Sequence, residues 1–152
     1  MMNIKDVKIT IVISMFNEKI SNQLLIGAIG EFEKLGANKN NIEVYKVPGA
    51  FEIPGTVMQL IKHHQAIHAI LTLGSIIKGE TAHFEHISSS VIDSLSKIST
   101  AEDTTIPIIN GILTTYNYQQ AISRSDLRMK NKGAEVMKSA IDTIETYNKI
   151  KK

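Results

Sequence analysis

The sequence contains no cysteine and no tryptophan, and only 3 of its 152 residues are proline. Without cysteine, a chain forms no disulfide, holds no iron–sulfur cluster or thiolate-bound zinc, and offers no cysteine nucleophile. Any chemistry must therefore come from histidine, lysine, arginine, carboxylates, hydroxyls and backbone groups.

An excess of one charge and long apolar runs are also lacking. The 17 basic and 15 acidic residues give a net charge of +2 and are spread along the chain, so we expect no nucleic-acid partner. No apolar run approaches the ~18 residues that span a bilayer, and no basic region with a long apolar stretch opens the chain. We therefore expect a cytoplasmic protein with no membrane partner, folded as one domain over residues 1–152.

Four short runs rich in β-branched residues predict four strands. The runs are nearly continuous rather than alternating with polar residues, which is typical of parallel strands buried on both faces. They cover residues 9–13, 42–47, 67–73 and 106–113.

Apolar residues at helical spacing lie between these runs. They predict helices over residues 18–36, over 50–64 with Pro54 in the first turn, and through 87–98. A short helix is expected to start at Asn117 with Gln120 in capping-box position, and a long helix follows it. The predicted order is βαβαβαβαα.

This alternation predicts right-handed crossovers and an α/β fold, a three-layer α/β/α sandwich around a flavodoxin-like, parallel four-stranded sheet. Ligands bind such sheets outside the carboxyl ends of the strands. The candidate segments for a site are therefore residues 14–18, 48–54, 74–86 and 110–117.

Two of these segments carry residues with alternative explanations. A planar ligand could stack on Phe16, which follows the first strand, or the ring could pack on its own helix as a hydrophobic staple. Glu52 lies in the first turn of the next predicted helix, where it could bind a polar ligand or simply complement the helix dipole.

The segment from Gly74 to His86 is the richest in candidate groups. Its two glycines allow close backbone approach, and Thr81 is expected to cap the next helix, whose N-terminal amides could bind an anion. The helix dipole would keep His83 neutral, so that it could accept and return protons. On residue type alone, a solvated surface histidine remains the simpler explanation.

Two further groups bear on the ligand class. His83 and His86 are three residues apart, but no third ligand is evident, so no metal is expected. Arg124 offers the two-pronged donor set that suits phosphate, although a solvated basic face shared with Arg128 is the alternative.

Taken together, the motifs resemble the lumazine synthase family. The resemblance extends from about Ile9 to Tyr147, and its motifs follow in the family's order. Each is weak alone, but the ordered set is specific. The motifs are Phe16-Asn17, Pro-Gly-Ala-Phe-Glu-Ile-Pro at 48–54, Gly-Ser-Ile-Ile-Lys-Gly-Glu-Thr-Ala-His-Phe at 74–84, Gly-Ile-Leu-Thr-Thr at 111–115 and Asn-Lys-Gly-Ala-Glu at 131–135.

The resemblance implies a reaction of riboflavin biosynthesis. In this reaction 5-amino-6-(D-ribitylamino)uracil condenses with 3,4-dihydroxy-2-butanone 4-phosphate to give 6,7-dimethyl-8-ribityllumazine, phosphate and water, without a metal or organic cofactor. One alternative is an archaeal-type riboflavin synthase, which shares the fold. The other is a non-catalytic flavin or lumazine binder whose role is assembly.

The resemblance also implies a role for each matching residue. His83 is expected to transfer protons, while Glu80, Thr81 and Arg124 are expected to bind the butanone phosphate. The remaining matches are expected to bind the pyrimidine substrate: Phe16, Ala50, Phe51, Glu52, Ser75, Ile76, Ile77, Asn110 and Lys132.

Some positions depart from the family pattern. Asn110 stands where many members have Phe, Lys78 where Arg is common and Ser123 where Glu is frequent, and residues 126–130 replace a Gly-rich approach to Asn131. The resemblance further implies an active site between neighbouring subunits in pentamers or multiples of them. Residues 1–7 are expected to form an extended arm that pairs with an adjacent sheet, and riboflavin synthase is a further expected partner.

Overall fold

One parallel sheet organises the chain, of which the computed structural model describes residues 2–64 and 66–152. Its strand order is β2-β1-β3-β4, and five helices cover it, which confirms the predicted three-layer α/β/α, flavodoxin-like fold. The strands are β1 (Ile9–Ser14), β2 (Ile42–Val47), β3 (Ala69–Ile77) and β4 (Ile108–Thr115). The helices are α1 (Glu18–Lys34), α2 (Ile53–His63), α3 (His83–Ser99), α4 (Tyr118–Ser125) and α5 (Lys132–Ile150).

The two central strands are buried on both faces. Every residue of β1 is buried, as is every residue of β3 except Ile77. Alternate side chains point to opposite faces of a strand, so Ile11 and Ile13 pack with α1 and α5 while Val12 packs with α2 and α3. Burial on both faces explains why these strands are continuous apolar runs in the sequence.

The third and fourth strands extend beyond their predicted ends. The predicted boundary at residue 73 is wrong, because β3 continues to Ile77, which pairs with Thr115 of β4. Gly74 resembles a turn residue in the sequence, but it lies inside the strand, where a Cβ would overlap the hydroxyl of Ser14. Residues 75–77 therefore belong to the strand and not to the loop after it.

The observed starts of the helices confirm one prediction and correct two others. Asn117 caps α4 as predicted: its side-chain oxygen accepts the Gln120 N–H at 2.9 Å. The predicted helix over 50–64 is a 3-10 turn at Ala50–Glu52 followed by α2. The cap predicted at Thr81 is wrong by one position, because Ala82 precedes α3 and the Thr81 hydroxyl accepts the His83 N–H at only 3.4 Å.

The amino-terminal segment contains a short turn. Ile4–Asp6 form a 3-10 turn, and Val7 is buried in the core on the α1 and α5 side. Residues 4–6 are therefore not extended here, and Met1, part of the expected arm, lies outside the described residues. None of the helices described is long and apolar enough to cross a bilayer.

Helices α1 and α5 approach each other closely at a glycine and a buried asparagine. The Asn131 side chain donates to the carbonyls of Gln23 and Ser125 and accepts the Ala134 N–H at 3.0 Å, so it joins α1, α4 and α5. At Gly133 a Cβ would overlap the backbone carbonyl of Leu24. The backbones can pack at this distance only while residue 133 lacks a side chain.

Gly133→Ala is expected to lower the free energy of unfolding by about 1–3 kcal/mol, because the added methyl group must push α5 away from α1. Gly30→Ala is the matched control, since nothing lies within 4 Å of the added Cβ. That change should stabilise the protein by about 0.5–1 kcal/mol through helix propensity. Urea unfolding measures both variants, and equal effects would contradict the role given to Gly133.

His68 joins the start of β3 to the residue before β1. The Lys8 N–H donates to His68 Nδ1 at 2.8 Å, and the His68 N–H donates to the Lys8 carbonyl at 2.9 Å. Partial burial, followed by the nearby Lys8 charge, lowers the pKa of His68 from its ordinary 6.5. The folded chain therefore favours the neutral ring, which is also the form that can accept the Lys8 N–H.

The stability of the protein is expected to fall as His68 becomes protonated. Because the native pKa is lowered, the stabilisation is fully present above about pH 6.5 and is lost as the pH falls through the native value. His68→Asn supplies an oxygen acceptor that does not titrate, so this variant should lose less stability between about pH 7.5 and pH 5. Urea midpoints at both pH values test this, and equal losses in the variant and the native sequence would contradict it.

Candidate active site

A pocket of about 490 Å³ lies at the carboxyl end of the sheet, between the turns after β1 and β2, the end of β3 and the start of α3. This is the edge at which doubly wound sheets bind ligands. The pocket brings together eight of the residues predicted from the sequence. They are Phe16, Ala50, Phe51, Glu52, Ser75, Ile76, Ile77 and His83.

Phe16 is held at the pocket by backbone pairing that continues past β1. The Met15 N–H donates to the Val47 carbonyl at 2.8 Å, and the Phe16 N–H donates to the Pro48 carbonyl at 3.0 Å. The Phe16 ring remains 69% exposed. This exposure favours a stacking surface over a staple packed on its own helix.

Asn17 turns the chain from β1 into α1. Its φ of 61° is the one positive value at a non-glycine residue among residues 2–64 and 66–152, and asparagine tolerates this left-handed conformation better than most residues. Its Nδ2 donates to the Ser75 hydroxyl at 3.3 Å, which ties the turn after β1 to β3.

The turn after β2 supplies a second aromatic ring and a carboxylate. Ala50 is buried, while Phe51 is 64% exposed and lines the same pocket as Phe16. The backbone of Glu52 is fixed on both sides: its N–H donates to the Gly49 carbonyl, and its carbonyl accepts the Thr56 hydroxyl at 2.8 Å. The pocket therefore has two exposed rings beside one carboxylate.

The end of β3 presents backbone groups where β1 has stopped. The last β1–β3 pair is Ile13 with Leu73, whereas the β3–β4 pairs continue to Ile77. Successive residues of a parallel strand direct their backbone groups to opposite neighbours, and the Lys78 N–H donates to the Thr115 carbonyl of β4. By this alternation, the backbone groups of Ser75 and Ile77 face the β1 side of the sheet.

His83 lies at the first residue of α3 and lines the pocket. Glu80 and Thr81 are exposed in the loop before it, outside the pocket lining. Sequence reasoning missed Phe84 and Ile87, which also line the pocket. Ile87 lies four residues after His83, and that helical spacing was the available signal.

Three predicted residues lie away from this pocket. Asn110 is exposed on β4, an edge strand of the sheet, where it pairs with Thr72 of β3. Its side-chain oxygen accepts the Ile112 N–H at 3.0 Å. Arg124 and Lys132 belong to α4 and α5, which pack on the opposite face of the sheet from α2 and α3. One copy of the chain therefore brings together only part of the predicted set.

The basic residues of α4 and α5 surround a single carboxylate. The Lys132 ammonium lies 3.0 Å from Glu135 Oε1, and this hydrogen bond is the main reason that the pKa of Glu135 is lowered. The charges of Lys130 and Arg124 lower it further. Three cations therefore act on this one exposed carboxylate.

Residues 6–148 match the family described as 6,7-dimethyl-8-ribityllumazine synthase. The chain belongs to this family. A 6,7-dimethyl-8-ribityllumazine synthase from Buchnera aphidicola subsp. Schizaphis graminum (strain Sg) is 44% identical over 151 residues, which cover 99% of this chain and 93% of that protein. As a member of the lumazine synthase family, the chain is an enzyme, a transferase of riboflavin biosynthesis.

The described residues contain no group of three or more His, Asp or Glu side chains placed to hold a metal ion. The pocket itself presents aromatic rings, a carboxylate, an imidazole and backbone groups.

Proposed function

We propose that the pocket beside His83 is where 5-amino-6-(D-ribitylamino)uracil condenses with 3,4-dihydroxy-2-butanone 4-phosphate, with no cofactor, to give 6,7-dimethyl-8-ribityllumazine, phosphate and water. The observation that carries this assignment is the convergence of eight motif residues from three separate segments on one pocket. Family membership supports the reaction, and the convergence of the motif residues supports this location.

The pyrimidine occupies the part of the pocket nearest β1 and β3. Its ring stacks on Phe16, which is exposed just after the end of β1. Its uracil amide groups bind the backbone of Ser75 and Ile77, where the β1 side of β3 is open, and the ring lies beside Ile76 in the pocket lining. The ribityl chain lies along Ala50, Phe51 and Glu52, whose carboxylate accepts hydrogen bonds from sugar hydroxyls.

The butanone phosphate lies at the loop before α3. Glu80 and Thr81 are exposed there, and the first backbone N–H groups of α3 have no partners within the helix. These N–H groups and the positive end of the helix dipole favour a phosphate. Arg124 completes the site with a two-pronged donor set.

The reaction requires little from the protein beyond orientation. An amine of the pyrimidine attacks the ketone carbon of the butanone, and one water leaves to form an imine. Loss of a proton from the neighbouring carbinol carbon and of phosphate from the next carbon gives an enol, which becomes a second ketone. The ribityl-bearing amine attacks this ketone, and the ring closes with loss of a second water. Because the two reactants combine without assistance, holding them together supplies most of the acceleration. His83 takes up and returns the protons that these steps release.

A second copy of the chain completes the site. Arg124, Lys132 and Asn110 lie away from the pocket of their own chain, so a neighbouring subunit supplies them in this proposal. Pentamers or multiples of them provide such neighbours. Asn110 replaces a common aromatic residue at the boundary, where a smaller side chain closes the cleft less fully.

The proposal also includes a location, a partner and a domain extent for the enzyme. We place it in the cytoplasm, with riboflavin synthase as the partner that consumes its product. Its single domain spans residues 1–152.

His83→Ala is expected to lower kcat by about 10- to 100-fold without abolishing activity, since general acid–base catalysis is lost while orientation is kept. His86→Ala is the matched control, because His86 lies one turn along the same helix and outside the pocket lining. Lumazine formation is followed by absorbance, with each substrate omitted in turn. Full activity in His83→Ala would remove its catalytic role, and riboflavin formed from lumazine alone would favour the archaeal-type riboflavin synthase.

A further inference from the structure

Tyr116 touches both ends of the loop that carries Glu80 and Thr81. The Lys78 ammonium lies 5.9 Å from the centre of the Tyr116 ring, and the ring centres of Phe84 and Tyr116 are 6.3 Å apart. Lys78 directly precedes this loop and Phe84 follows it. The ring of Tyr116 is 71% exposed, so core packing does not explain its position.

The backbone on either side of these contacts is fixed. The Lys78 N–H donates to the carbonyl of Thr115 at 2.9 Å, which adds one hydrogen bond to the β3–β4 ladder. The next residue, Tyr116, donates its N–H to the side-chain oxygen of Gln120 in α4 at 2.9 Å. The Tyr116 ring therefore projects from an anchored position and is not carried by a free loop.

Lys78 also forms an ion pair with a residue of α3. Its ammonium lies 3.8 Å from Glu85 Oε1, and both side chains are about half exposed. Cations within about 6 Å of a ring centre are attracted to its face, and tilted aromatic pairs add a similar attraction. Lys78, Tyr116, Phe84 and Glu85 together join the end of β3 to the first turn of α3 across the base of the loop.

We propose that Tyr116 is a positioning residue that holds the loop of residues 79–82 in the shape that binds the butanone phosphate. This inference rests on the proposed placement of that phosphate at Glu80 and Thr81. Tyr116 acts through Lys78 and Phe84 and touches neither substrate. Removal of its ring lets the ends of the loop separate, so the free enzyme must order the loop each time it binds the phosphate.

The test compares Tyr116→Ala, Tyr116→Phe and Tyr118→Ala in steady-state assays of the assembled enzyme. Tyr116→Ala should raise the KM for the butanone phosphate about three- to tenfold, with kcat and the KM for the pyrimidine changed less than about twofold. Tyr116→Phe keeps the ring and should restore the native KM. Tyr118→Ala removes another exposed tyrosine two residues later and should leave all three constants unchanged.

Two results would overturn the proposal. One is a native KM for the butanone phosphate in Tyr116→Ala, and the other is an equal change in both KM values, which would indicate general damage to the fold. Arg124→Ala distinguishes a wrong positioning role for Tyr116 from a wrong placement of the phosphate site. If Arg124→Ala raises the KM for the phosphate and Tyr116→Ala does not, only the positioning role is lost; if neither does, the assignment of the phosphate site is wrong.

Discussion

The site depends on one constraint of the sheet: β1 stops before β3, the strand beside it. Pairing between them ends at Ile13 and Leu73, while β3 continues along β4 to Ile77. The chain after β1 turns towards β2 instead, where Phe16 bonds to Pro48. This divergence opens the pocket, places an exposed ring on one side of it and a strand edge on the other, and leaves room for a flat ligand between them.

The same sheet separates the two chemical parts of the proposed site. Its central strands are buried on both faces, so helices must cover each face. The pocket lies with α2 and α3, whereas Arg124 and Lys132 lie with α4 and α5. A side chain cannot cross a sheet whose faces are both packed. The proposed site therefore requires assembly, since Arg124 is proposed to reach the phosphate from another copy.

Strands and helix ends could be predicted from the sequence wherever they produce a pattern among neighbouring residues. Strands buried on both faces are apolar runs, and the Asn117 cap is a local hydrogen bond, so both were predicted correctly. Gly74 was misassigned because its close approach to Ser14 joins residues sixty positions apart, and no local pattern records it. The cap of α3 was misplaced by one position, because Ala82, which has no capping side chain, precedes the helix and the Thr81 hydroxyl accepts the His83 N–H at only 3.4 Å.

The candidate site was only partly accessible from the sequence. Motif order identified Phe16, Glu52 and His83, and the pocket contains them. The pocket also contains Phe84, whose ring centre lies 6.3 Å from that of Tyr116 across the loop, a pairing that no local sequence pattern predicts. Arg124 and Asn110 lie away from the pocket of their own chain, and their proposed place in the site depends on a second copy.

A mixing experiment tests whether His83 and Arg124 in one site come from different copies of the chain. His83→Ala and Arg124→Ala chains are each purified, then unfolded and reassembled together in equal amounts, and lumazine formation is compared with that of each variant reassembled alone. If His83 and Arg124 in one site come from different copies, about a quarter of the mixed sites recover both residues, and activity rises well above either variant. If both residues act within one copy, no mixed site is complete, and activity equal to the average of the two variants would contradict the account.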